Sequence, residues 1–251
     1  MFLAIDIGNT NIKAALYNED SLQKVFRFET EKSLGKEYYL KIFEESLSDF
    51  DVKNCAISSV VSDFGNIIKE VCDSIFKIDS VILDTDKCDM IKVKTVNSDK
   101  VGIDRIANSY AASMYKLPAI VVDIGTAVNF DIISENKEFI GGIIMPGPGI
   151  QLKSLFVNAS KLPKIDLKTS DKAVGDTTET SILSGVVRGI ASAIDGLIIQ
   201  CEEELEVKSN IILTGGYCEL ISQYMKTKAS LVEKNLTVFG VKLMYDRLYK
   251  G

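Results

Sequence analysis

One signature occurs twice in this chain and limits its fold more than any other feature. The apolar run from Met1 closes on Asp6-Ile7-Gly8-Asn9-Thr10, and the run Ala119-Ile120-Val121-Val122 closes on Asp123-Ile124-Gly125-Thr126-Ala127. Each is followed by a second apolar segment, Ile12 to Tyr17 and Val128 to Ile133, so both copies read as strand, D-I-G turn, strand. A duplicated unit of this kind predicts two like halves. The four prolines are confined to the stretch from Pro118 to Pro163, so no proline-rich linker marks a boundary. The repeat therefore sets the division near Lys116-Leu117-Pro118, with residues 1–116 as one expected half and 117–251 as the other.

Strands and helices alternate around the two copies. Lys53 to Val60 is an apolar run ending in serines, Ser80 to Leu83 is a shorter one, and Ile67 to Phe76 is spaced like one face of a helix. Asp104 to Tyr115 reads as a helix with Ile106, Tyr110, Ala111 and Met114 on one side. Thr180 to Cys201 reads as a longer helix, its apolar residues recurring at three- and four-residue steps. Asn210 to Leu213 is a buried-strand pattern closed by Thr214-Gly215-Gly216. Such alternation in both halves predicts the α/β class. With 251 residues and 46% apolar content, the chain can fill the core this requires.

Composition removes several function classes. Acidic residues (35) outnumber basic ones (29), and a formal charge of -6 argues against a nucleic-acid backbone as partner. The first apolar run contains Asp6 and has no basic leader, and Ile182 to Ile199 is interrupted by Arg188 and Asp195. The sequence therefore reads as soluble and cytoplasmic, with no membrane partner. The five cysteines form no C-x-x-C pair and read as reduced core or surface thiols. The complete lack of histidine removes Ser-His-Asp and Cys-His machinery and most zinc sites, leaving carboxylates, lysines, tyrosines and backbone dipoles to carry chemistry. Glu202-Glu203-Glu204 reads as a solvated helix end, and Gly185 with Gly189 as a place of close helix packing.

A D-x-G turn after a buried strand has a physical use. Gly8 and Gly125 let backbone amides approach a phosphate, the hydroxyls of Thr10 and Thr126 can donate to its oxygens, and Asp6 and Asp123 can hold a cation or its water shell. Taken singly, either turn is one that any strand-ending glycine makes; two in equivalent places suit a triphosphate gripped from both sides. Leu213-Thr214-Gly215-Gly216 adds a late glycine turn able to approach a flat ligand such as adenine. Phosphate turn, second phosphate turn and Gly-Gly turn, in that order, resemble the actin/hexokinase/Hsp70 superfamily. The resemblance implies duplicated ribonuclease H-like domains, as in actin-like ATPases, with a central nucleotide cleft.

A narrower resemblance covers nearly the whole chain. Asp6-Ile7-Gly8-Asn9-Thr10-Asn11-Ile12-Lys13, Val101-Gly102-Ile103-Asp104-Arg105, Asp123-Ile124-Gly125-Thr126-Ala127, Gly141-Gly142-Ile143-Ile144-Met145-Pro146-Gly147 and Thr178 with Ser184-Gly185 are similar, in order, to the motifs of type III pantothenate kinases. The resemblance implies that Asp6 to Lys13 meet the phosphates of ATP and that Thr126 contacts them from the second half. It implies Mg2+ bridging the phosphates near Asp6, a monovalent cation (K+ or NH4+) at Asp123, and pantothenate held by Gly102, Ile103, Asp104, Arg105 and Thr178. Asp104 would be the proton acceptor, and the assembly a homodimer. Where the family carries tyrosine and proline ahead of its G-x-D-R motif, this chain aligns Thr95 and Ser98, so the resemblance implies Thr95 as the substrate-binding residue of that loop.

The residues themselves leave alternatives open. Asp104 falls at the first turn of its helix, where the dipole stabilises an anion, so capping alone would account for it. Phosphoryl transfer tolerates a weak base, because its loose transition state needs a positioned acceptor more than a strong one. Arg105 can take a carboxylate, which pantothenate has, or lie solvated on the surface. A different small-molecule kinase of the superfamily and a non-catalytic regulator on the same fold are the rival readings. Three carboxylates at Asp6, Asp104 and Asp123 serve a binding module poorly.

Overall fold

The computed structural model describes residues 1–159 and 162–250. It divides into two compact units: Met1–Ala111 together with the C-terminal segment from Leu236, and Ala112–Asn235.

In the first unit, β1 (Phe2–Ile7) is followed by β2 (Asn11–Asn18), β3 (Ser21–Glu29), α1 (Lys36–Leu47), β4 (Asn54–Ser59), α2 (Phe64–Phe76), β5 (Val81–Ile82), β6 (Lys92–Val93) and α3 (Ile103–Ala112). A five-stranded sheet runs β3-β2-β1-β4-β5. β1, β2 and β3 form an antiparallel meander, while β4 and β5 continue parallel to β1. Alternation along β1 divides its faces. Leu3, Ile5 and Ile7 point into a core with Tyr39 and Phe43 of α1 and Ile68 and Val71 of α2, while Phe2, on the other face, packs against the tilted ring of Tyr245.

Tyr245 belongs to the last helix, Leu236–Tyr249, which packs on β1 and β4. The division at 116/117 would place this helix with the second half; the chain instead returns to the first unit to cover its open sheet face. Two hydrogen bonds fasten it. Tyr245 donates to Asn54 Oδ1 at 2.9 Å, and the fully buried Lys242 Nζ donates to Asp20 at 2.6 Å while also bonding Asp246 one turn on in the same helix at 2.6 Å. Gly240 lies against the backbone of Ala107 in α3, so a Cβ there would collide with the Ala107 carbonyl. Gly240→Ala gains about 1 kcal/mol of helix propensity. The clash is with rigid backbone, at the upper end of the roughly 1–3 kcal/mol expected for overpacking. We expect a net loss of about 2 kcal/mol, read as a lower urea midpoint at unchanged slope.

The second unit contains β7 (Ala119–Ile124), β8 (Ala127–Ile133), β9 (Glu138–Pro146), α4 (Pro148–Asn158), α5 (Thr178–Leu183), α6 (Gly189–Leu205), β10 (Asn210–Thr214), α7 (Cys218–Ser222) and β11 (Leu231–Val232); the C-terminal helix of the first unit is α8. Its strands run β9-β8-β7-β10-β11, an antiparallel meander followed by two strands parallel to the first. This is the order and direction of the first unit's sheet, so the duplication read from the D-I-G turns extends to whole-sheet topology. Ile120, Val122, Val128 and Phe130 pack against Val187, Ile190 and Ile194 of the long helix.

That helix runs unbroken from Thr178 to Leu205 and is 28 residues long, joined through a π turn at Ser184–Arg188. By length and composition it could cross a bilayer, which corrects the expectation that Arg188 and Asp195 interrupt it too strongly. Its apolar stripe is spent on the unit's own core. Both polar residues are also engaged: Asp195, 8% exposed, accepts from the backbone N–H groups of Lys226 and Thr227 at 2.7 and 2.9 Å. A second correction concerns Gly185 and Gly189, since a Cβ at either position would meet nothing within 4 Å among the described residues. They mark the π turn and not a helix contact.

Candidate active site

The first D-I-G turn joins β1 to β2. Ile7 and Ile12 are cross-strand partners, so Gly8, Asn9, Thr10 and Asn11 form the turn, closed by Gly8 N–H donating to Asn11 O at 3.0 Å. Thr30, just past β3, braces it with hydrogen bonds to Gly8 O at 2.8 Å and Thr10 O at 2.9 Å. Lys32 donates to Asn9 Oδ1 at 3.0 Å and brings a cation to the tip. Asp6 accepts from Ser58 Oγ of β4 at 3.2 Å and faces Lys13 across the ladder. Ser58, Thr30 and Lys32 were not picked out from sequence; the signal for Ser58 was a serine inside an otherwise apolar strand.

The second turn is one residue shorter. Ile124 pairs with Val128, leaving Gly125, Thr126 and Ala127, with Gly125 N–H donating to Ala127 O at 2.9 Å. Thr10 and Thr126 each lie two residues before the strand residue that closes the turn, Ile12 and Val128, and both are exposed. The residue opposite the aspartate differs: Asp6 faces Lys13, whereas Asp123 faces the neutral Asn129 on one side and Thr214 on the other. The first turn is thus an acidic–basic pair suited to phosphates and the second an oxygen-rich set suited to a cation.

Glycines at these turns fall into two kinds. A Cβ on Gly8 or Gly125 would come no closer than 3.4 or 3.6 Å to the protein, so internal packing does not demand glycine and leaves space beside each turn. Gly147 and Gly215 are demanded by packing. A Cβ on Gly147 would strike the carbonyls of Gly125 and Thr126; one on Gly215, at φ +91°, would strike Asp123 Oδ1 and the Ile124 backbone. The G-G-I-I-M-P-G and T-G-G segments are therefore seated on the second turn, and Tyr217 N–H adds a bond to Ile124 O at 3.0 Å.

In the first unit, Gly102 precedes α3 and accepts from the N–H groups of Arg105 and Ile106 at 3.0 and 3.2 Å. Asp104 lies in the first turn; its Oδ1 accepts from Arg105 N–H at 2.8 Å and folds over Gly102, where any Cβ would collide with it. Gly102 and Ile103 border a cavity of about 650 Å³ that also meets Ser59, Val60, Asp84 and Lys100. Val60 N–H bonds to Ile7 O at 3.2 Å, so β4 links this cavity to the first turn. Thr95 is half-buried on the segment before it and is not among the cavity's lining residues.

Thr178 opens α5, where Thr177 caps the helix by a reciprocal pair of hydrogen bonds with Thr180. It lines a cavity of about 1020 Å³ bounded by Gln151, Ser154 and Leu155 of α4 and by Pro146. Pro146-Gly147 is the link between this cavity and the second turn. Burial pushes the Cys88 thiol up to about 11, and a hydrogen bond with Cys55 together with burial raises Cys72 well above the ordinary range, which disfavours the thiolate at both. Among the described residues no group of three or more Cys, Asp or Glu side chains could hold a metal ion.

A model of the type III pantothenate kinase family matches residues 2–200. The type III pantothenate kinase of Finegoldia magna is 36% identical over 255 residues, covering 98% of this chain and 97% of that protein. Among solved structures, a protein of Campylobacter jejuni described as a conserved Baf family transcriptional activator superposes with a TM-score of 0.60 at 23% identity, over 98% of both chains. The ethanolamine utilization protein EutJ of Carboxydothermus hydrogenoformans gives 0.58 at 13% identity, over 96% of this chain and 89% of that one. The activator of 2-hydroxyisocaproyl-CoA dehydratase from Clostridium difficile, with ADPNP bound, gives 0.53 at 12%, over 99% and 96%. At these identities the structures speak for the fold alone, a duplicated α/β architecture of the actin-like ATPase kind. The sequence matches go further: the chain belongs to the type III pantothenate kinase family.

Proposed function

We propose that this chain transfers the γ-phosphoryl group of ATP to the primary hydroxyl of pantothenate, giving 4'-phosphopantothenate and ADP, the first step toward coenzyme A. The observation that carries the reading is the pair of topologically equivalent D-I-G turns, the aspartate of one in register with a lysine and that of the other in register with an asparagine and a threonine. In this reading Gly8 to Lys13 and Thr126 hold the phosphates, and Asp6 is the carboxylate nearest Mg2+, which would neutralise charge developing on the phosphates. Asp123, the Asn129 amide and the Thr214 hydroxyl fit a monovalent cation; Thr214 Oγ1 is buried without a partner among the described residues, as an oxygen awaiting an ion would be. Asp104 accepts the proton as the substrate oxygen bonds to phosphorus and ADP departs. Gly102, Ile103, Arg105 and Thr178 hold pantothenate, with Arg105 matched to its carboxylate.

A panel of hydroxyl acceptors offered with ATP tests this directly. ADP release that requires pantothenate supports the reading, whereas turnover of sugars without pantothenate would make the chain a different kinase.

The assembly proposed is a homodimer. Ile144, Ile150, Phe156, Val157 and Val174 of the second unit are all exposed, Val174 to 84%, and a second copy would cover apolar surface that water otherwise meets. Light scattering at micromolar concentration should report twice the mass of one chain; an active monomer would remove the dimer from the account.

A further inference from the structure

Residues 163–176 contain neither helix nor strand, yet they lead directly into Thr177 and Thr178 on the wall of the larger cavity. A strap of this length has no ladder of its own and is placed only by bonds to the rest of the unit. Ser170, 4% exposed, takes the most of them. Its N–H donates to Tyr224 Oη at 2.8 Å, and its carbonyl accepts from Arg188 Nη2 at 2.7 Å, with Arg188 Nε 3.4 Å from its hydroxyl. The Arg188 guanidinium in turn lies 4.8 Å from the centroid of the Tyr224 ring. Arginine and tyrosine thus form one plate that satisfies both main-chain groups of Ser170. One turn earlier on the same helix, Ser184 Oγ donates to Ala173 O at 2.6 Å. Ser184 and Arg188 are the first and last residues of the π turn, a local distortion that recurs at functional positions. Gly175 then packs so closely on Ser181 that no side chain fits.

We propose that Arg188 and Tyr224 are positioning residues for the acceptor substrate, clamping the strap at Ser170 so that Asp176 to Thr178 form a fixed wall opposite α4. The inference rests on the reading of Thr178 as a pantothenate contact. If the clamp is loosened, the wall is in place for only part of the time, and apparent affinity falls by that fraction. The reacting groups and the phosphate turns are untouched, so the loss belongs to pantothenate binding alone.

Steady-state kinetics of the full chain test this with Arg188→Ala, Arg188→Lys, Tyr224→Phe and Thr178→Ala. Arg188→Ala should raise the KM for pantothenate about tenfold, with kcat and the KM for ATP within about twofold. Arg188→Lys should fall between, since it keeps the charge but loses the fork and the stacking. Tyr224→Phe, which removes only the hydroxyl, should move the same constant in the same direction, and it decides the matter if Arg188→Ala does not fold. An unchanged pantothenate KM in the Arg188 and Tyr224 variants, while Thr178→Ala raises it, overturns the clamp and leaves the Thr178 reading standing. Thr178→Ala without effect overturns the reading on which the clamp rests. A fall in kcat together with a rise in both KM values would show that the plate holds the fold and not the substrate wall.

Discussion

Asp104→Asn is expected to lower kcat by about 10²- to 10⁴-fold, the usual loss on removing a general base, with ATP affinity near that of the parent. The geometry makes this substitution clean. Asparagine keeps an oxygen where Asp104 Oδ1 accepts the Arg105 N–H at 2.8 Å, so the first turn of α3 retains its bond. The side chain also keeps its size over Gly102, where the absence of a Cβ is what lets the carboxyl fold back. The ability to accept a proton is lost. Circular dichroism and calorimetric ATP binding should match the parent. A kcat within a few fold of the parent would end the assignment of Asp104 as base, and a variant that fails to fold would make Asp104 a helix-capping residue.

Exchanging potassium for sodium at constant ionic strength should lower turnover about tenfold or more, equivalent to about 1.4 kcal/mol of transition-state stabilisation. Asp6 shares its ladder position with Lys13, whereas Asp123 has Asn129 and Thr214 in register on its two neighbouring strands, an oxygen-bearing set suited to a cation. Asp123→Asn should be slow in both salts and should abolish the difference between them. A thermal shift with ATP present gives a second readout: potassium should raise the melting temperature of the parent more than sodium does, and of the variant no more. Equal rates for the parent in both ions would remove the cation from Asp123.

Much of this was legible in sequence where local pattern and tertiary structure agree. Both D-I-G turns, their flanking strands, α3, the long helix and β10 were marked by an apolar run with a glycine stop or by a helical period. The outer meander strand β3 was not, because an edge strand with one covered face leaves Leu22, Val25, Phe26 and Phe28 only partly patterned. α8 carries apolar residues almost all round, and no local signal says that it returns to the first sheet; that follows from pairings such as Tyr245 with Asn54, far apart in the chain. The site divides in the same way. Residues inside glycine motifs could be named, but Ser58, Thr30, Lys32, Asn129 and Arg188 come to their places only through strand register or a turn of helix. Gly147 and Gly215 were visible as motif letters, while the reason for them, a backbone pressed against the second turn, was not.

The account stands most directly on where the phosphoryl group goes. Phosphorus NMR of the protein with ATP, Mg2+ and potassium follows this without a coupled enzyme. On adding pantothenate, a phosphate monoester resonance should grow one-for-one with ADP, and without pantothenate ATP should persist. Inorganic phosphate as the only new product, or ATP unchanged in the presence of pantothenate, would contradict it.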